Sequence, residues 1–172
     1  MSCLGVFFAI DKETVQDLKK EKRSNLVDFM QENIEEVYFT ERKAQLSEVD
    51  KAWDAIQRAF GGGELEWKPS GGAYPANIIV LGGEILYGDN DNEDDYIISL
   101  KNPAEVADIY KFLSELQEPE FREHYFKIDQ DKYWFGGGDD DFEYTWYWLS
   151  GTVDFWKNAA EQNLSVIFTV DQ

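Results

Sequence analysis

The run "CLGVFFAI", Cys3–Ile10, constrains the fold more than any other stretch of this chain. It is too short to be read as a helix of its own and has no polar residue to turn toward water. A short continuous apolar run of this kind is expected of a strand covered on both faces. "LSVIFTV", near the other end, reads the same way, and "YIISL" at Tyr96–Leu100 supplies a third strand. Between them the chain is mostly helical in period.

The clearest start signal is "NPAEVADIYKFLSELQ". Asn102 stands as N-cap, Pro103 at the first helical position and Glu105 three residues after the cap. Val106, Ile109, Leu113 and Leu116 then form its buried face. "SEVDKAWDAIQRAF" reads as a helix capped by Ser47, with Asp50 approximating a capping box and Val49, Trp53, Ile56 and Phe60 as its apolar stripe. Gly61–Gly63 end it, and the glycine- and proline-rich segment to Pro75 reads as irregular. A first helix is expected over 11–20, with Val15 and Leu18 inward. A second covers "SNLVDFMQENIEEVYF", with Ser24 as cap. A short one restarts at Pro119, and a last helical region over 144–163 breaks at Gly151. Few strands and many helices, without regular alternation, predict an α+β fold: one domain over residues 1–172, with several helices on a small mixed sheet.

Charge is the second constraint. The net charge is −19, and it is lopsided: residues 1–88 carry 15 acids and 10 bases, residues 89–172 carry 20 acids and 6 bases. Aromatics at 16% give enough apolar surface for a folded core despite that charge. A field of this sign repels nucleic acid and anionic membranes and attracts basic proteins or cations. Two runs concentrate it, "GDNDNEDDYI" and "FGGGDDDFEYTWYW", both read as solvent-exposed loops. No apolar stretch reaches the length of a membrane span and no secretory signal is evident, so a cytoplasmic location is expected.

Catalytic chemistry finds few footholds. His124 is the single histidine and Cys3 the single cysteine, so a zinc site lacks ligands and an internal disulfide is impossible. "DNDNEDDYIISL" begins like a calcium loop, but Asp94 stands where that loop needs glycine and Leu100 where it needs a bidentate acid. Neither glycine triplet is followed by Lys-Ser or Lys-Thr, so no phosphate loop is present. Paired acids with Trp134, Trp146 and Trp148 nearby would suit glycoside hydrolysis, but nothing marks one raised-pKa acid and its partner. No cofactor is expected.

The opening "MSCLGVFFAI", the "DKAWDAI" helix, "GGE" after an apolar run, "NPAEVADIYKFL" and the ending "FWKNAAEQNLSVIFTV" fall in an order that resembles the YfbM-like proteins, an uncharacterised bacterial family. The resemblance covers nearly the whole chain. It implies a single cytoplasmic α+β domain and no established activity. Members of that family often carry histidine in the helix that here has Asp54 and Gln57. Some relatives resemble parts of bacterial toxin–antitoxin or toxin-immunity arrays.

The leading expectation is therefore a protein-binding module, an immunity protein that occludes the active site of a basic cognate toxin. Asp89, Asp91, Glu93, Asp94, Asp95, Asp139, Asp140, Asp141 and Glu143 would steer and salt-bridge, while Tyr96, Trp134 and Tyr144 would pack. A mimic of nucleic acid would differ from this only in its target. The alternative from another class is a small-ligand protein or enzyme with a pocket between the "DKAWDAI" helix and the glycine-rich loops, using Asp50 and Asp54 near Trp53.

Overall fold

A computed structural model of the chain describes residues 3–65, 71–88 and 96–171. Strand β1 (Gly5–Ile10) follows Cys3, which is half-buried and precedes the strand. Helix α1 (Lys12–Lys20) is capped by Asp11, whose Oδ1 accepts the Thr14 N–H at 2.8 Å. That bond is the main reason the Asp11 carboxyl sits below the usual range. The next helical stretch comprises a 3-10 turn at Arg23–Asn25, α2 (Leu26–Met30), a π-helical turn at Gln31–Glu35 and α3 (Glu36–Thr40). Ser24 does not cap it; its hydroxyl donates to Asn25 Oδ1 instead.

The segment holding Ser47 corrects the sequence reading. Leu46–Asp50 is strand β2, paired antiparallel with β1 through Phe7↔Ser47 and Val6↔Glu48. Long-range pairing has overridden a local capping signal. Asp50 ends the strand at φ 49°, in the left-handed region, and helix α4 (Ala52–Gly61) begins two residues later. Trp53, Ile56 and Phe60 are buried as expected, and Val49 is buried from the strand. Gly62 closes α4 at φ 100°, a conformation that favours glycine.

Strands β3 (Glu84–Tyr87) and β4 (Tyr96–Lys101) lead into α5 (Pro103–Glu115), where Asn102 and Glu105 form the full capping box. Then come α6 (Glu118–Tyr125), α7 (Asp139–Gly151), α8 (Val153–Glu161) and β5 (Ser165–Asp171). The sheet order is β2-β1-β5-β4-β3. All four pairings are antiparallel, so the expected mixed sheet is replaced by an antiparallel one.

Both faces of this sheet are covered, which explains the unbroken apolar runs. Val6, Phe8 and Ile10 of β1 pack with Leu18, Met30, Ile34 and Tyr38 of α1–α3. The alternate residues Phe7 and Ala9 face the larger core built by α4–α8. Lys101 of β4 is buried on this second face. Its ammonium nitrogen lies 2.6 Å from Ser99 Oγ and also reaches the Val80 carbonyl, and burial pushes its pKa well below the usual lysine value.

Candidate functional surface

The second acidic run, expected as a loop, forms the first turns of α7. Gly136, Gly137 and Gly138 all have positive φ and turn the chain into the helix. Asp139, Asp140 and Asp141 then occupy its first turn, where the helix dipole favours negative charge. Phe142, Thr145 and Leu149 recur at helical spacing and are buried. The acids are thereby shared out among different faces.

One of them is built into the fold and one is held in an exposed surface pair. Asp139 pairs with Arg122, whose guanidinium also lies 4.7 Å from the centre of the Phe142 ring. Asp141 Oδ2 accepts the hydroxyls of Tyr125 and Tyr133, the latter at 2.8 Å. Burial first, and then these bonds, hold both phenols protonated far above their usual range. Asp141 is thus a structural acceptor between α6, the loop after it and α7, not a free steering charge.

The other two acids are free. Asp140 and Glu143 are exposed and have no ion-pair partner among the described residues. With Tyr144 and Tyr147 they stand at i, i+3, i+4 and i+7, which makes one ridge along α7. No basic residue occurs on this helix. Tyr147 is 70% exposed, and Trp134, five residues ahead of the helix, is 95% exposed. Phe135 beside it is half-exposed. Tyr144 also has a local role: its hydroxyl accepts the Lys51 N–H at 3.3 Å, which ties α7 to the end of β2. Trp146 and Trp148 turn to different sides. Trp146 stacks on Phe121 at 5.7 Å, and Trp148 meets Tyr144 and Tyr147 edge-on. Tyr147 was missed by the sequence reading, although its spacing from Asp140 and Tyr144 would have found it.

Asp89, Asp91, Glu93, Asp94 and Asp95 lie outside the described residues. Tyr96, expected as a packing contact for a partner, is instead 6% exposed in β4. Its hydroxyl donates to Glu35, which also accepts from Thr169 Oγ1 at 2.9 Å. The π-helical turn delivers Glu35 to this position. Tyr96 is therefore withdrawn from the recognition surface.

The common helix face expected of Asp50 and Asp54 does not form. Asp50 ends a strand and Asp54 stands on α4, so they share no helix face. Asp54 forms a largely buried ion pair with Arg58, and burial raises its pKa against the pull of that guanidinium. A cavity of about 230 Å³ does lie between the end of α4 and the glycine segment, lined by Phe60, Gly62, Gly72, Tyr74 and His124 among others. It contains neither carboxylate. A cavity of about 730 Å³ opens elsewhere, beside Lys12, Lys19, Glu84 and Glu105. Among the described residues no three His, Cys, Asp or Glu side chains are grouped as a metal site, and no helix is long and apolar enough to cross a membrane.

None of the curated proteins compared with the chain matches it. Among solved structures, the fold is similar to that of a protein of unknown function, YfbM from Escherichia coli. That likeness covers 97% of this chain and 99% of the other, at a TM-score of 0.65 and 17% identity. At that identity it speaks for the fold alone. The family model described as "Domain of unknown function (DUF1877)" matches residues 1–169, and the chain therefore belongs to the DUF1877 family.

Proposed function

We propose that this chain is a protein-binding module that captures a basic partner with the exposed ridge of α7 and the aromatic loop ahead of it. The observation that supports this reading is the ridge itself. Asp140 and Glu143 are followed by Tyr144 and Tyr147 on a helix without a single base, and Trp134, five residues before it, is almost fully exposed. Aromatic side chains of low conformational entropy serve as anchors, and unpaired acids around them speed encounter with a positive surface. Neither role requires a catalytic group. The partner class that fits best is a cognate toxin with a basic active site, which such a surface would occlude.

The test removes the free charges and leaves the structural ones. Asp140→Asn with Glu143→Gln keeps shape and takes away two charges from the ridge. Association with the partner recovered from the native cell should slow by about tenfold at low salt and lose part of its salt dependence. Trp134→Ala and Tyr147→Ala should speed dissociation instead. Wild-type association by the double variant at low salt would refute the reading.

A further inference from the structure

Among the described residues strand β2 ends the sheet and pairs only with β1. At the opposite edge, side chains of β3 meet other parts of the chain: Lys19 reaches Glu84 at 2.5 Å and Arg23 lies 4.7 Å from the Tyr87 ring centre. Leu46, Ser47 and Glu48 of β2 line a cleft of about 370 Å³ together with Tyr147, Trp148 and Gly151. Helix α7 forms its far wall. One end is closed where the Lys51 N–H meets Tyr144. At Gly151, an added Cβ would meet nothing within 4 Å.

We propose that this cleft receives an extended, basic segment of the partner protein, added along β2 as a sixth strand. An open edge offers backbone donors and acceptors that an incoming strand can satisfy. The alternation of a strand then dictates the composition of the segment. Side chains on one face meet Tyr147 and Trp148 and are apolar. Side chains on the other face meet Glu48, which also borders a cleft of about 250 Å³ holding Glu35 and Asp171, and are basic. The charge argues against a second copy of this chain as occupant, because −19 would face −19. The inference rests on the α7 reading, since Tyr147 belongs to both the ridge and the cleft.

The probe is a fluorescent ten-residue peptide of alternating valine and arginine, titrated against the full chain and compared with a valine–glutamate peptide. Only the first is expected to bind. Gly151→Phe places a ring in the empty cleft and should weaken binding at least tenfold, with an unchanged melting temperature. Glu48→Lys should weaken it by a similar factor. N-methylating alternate residues of the peptide should abolish binding in one frame and spare it in the other, because only one set of amides faces β2. Absence of binding by the valine–arginine peptide overturns the proposal, as do equal binding of the two peptides, insensitivity to Gly151→Phe, and insensitivity to both methylation frames. A dimer of the chain in sedimentation, broken by Gly151→Phe, would also overturn it in favour of a second copy. If these arms fail while Asp140→Asn with Glu143→Gln still slows the native partner, strand addition falls and the α7 reading stands. If that double variant associates as wild type, the α7 reading itself falls.

Discussion

Replacing Asp141 with alanine should destabilise the protein by about 2–5 kcal/mol. The figure follows from what its carboxylate holds. One oxygen, Oδ2, accepts from both Tyr125 and Tyr133, and these rings are 0% and 6% exposed. A hydrogen bond to a charged group contributes roughly 1.5–3 kcal/mol, and a buried hydroxyl left without a partner costs about 1–3 kcal/mol. The two bonds share one acceptor, so the sum is not taken in full. The acid also sits in the first turn of α7, where the dipole adds about 0.3–1 kcal/mol. Urea unfolding followed by the fluorescence of the six tryptophans would measure the loss. The sharper result comes from the triple variant Asp141→Ala, Tyr125→Phe, Tyr133→Phe. Removing the donors along with the acceptor leaves nothing unsatisfied, so the triple variant should be more stable than Asp141→Ala alone. A loss below about 1 kcal/mol for Asp141→Ala, or a triple variant less stable than the single one, would refute the assignment of Asp141 to the fold.

Trp53→Ala should cost about 3–5 kcal/mol in the same assay, because the indole is 4% exposed and its Nε1 donates to the Cys3 carbonyl at 3.0 Å; a loss under about 1 kcal/mol would place Trp53 outside the core. Lys101 predicts a pH effect. Its folded pKa lies below the unfolded value near 10.5, so between the two the unfolded chain holds one more proton and stability climbs as pH rises. Lys101→Met should flatten that alkaline climb and raise stability at neutral pH, while Ser99 Oγ still satisfies the Val80 carbonyl at 2.8 Å. An unchanged pH profile in the Met variant would contradict the buried-amine account.

Signals confined to a few neighbouring residues were legible in the sequence. Asn102 with Pro103 and Glu105 announces α5, and the box is present atom for atom. The Trp53–Ile56–Phe60 stripe announces α4 and its buried face. Signals that depend on distant partners misled. Ser47 resembles a cap until β1 supplies a strand for it to pair with. Tyr96 resembles an exposed aromatic beside acids until Glu35 and Thr169, far away in sequence, enclose its hydroxyl. The sheet's hand-in-hand antiparallel order was hidden for a related reason: helices on both faces erase the alternation that marks antiparallel strands.

The acidic run that opens α7 shows why composition alone could not locate the surface. Four acids within five residues look equivalent as charge. Helical geometry makes them unequal. A residue at every third or fourth position must share the face of Phe142 and Thr145, and a neighbour just off that face can reach buried donors. Asp141 does so and becomes part of the packing, while Asp139 turns to Arg122 on the adjoining helix. Asp140 and Glu143 fall on the solvent side, where their field is uncompensated and two tyrosines stand among them. Asp141, which stabilises the fold, and Asp140 and Glu143, which are available to a partner, therefore separate by rotation about one helix axis. Neutralising Asp141 should act through stability, and neutralising Asp140 or Glu143 through association, which makes the two sets of variants mutual controls.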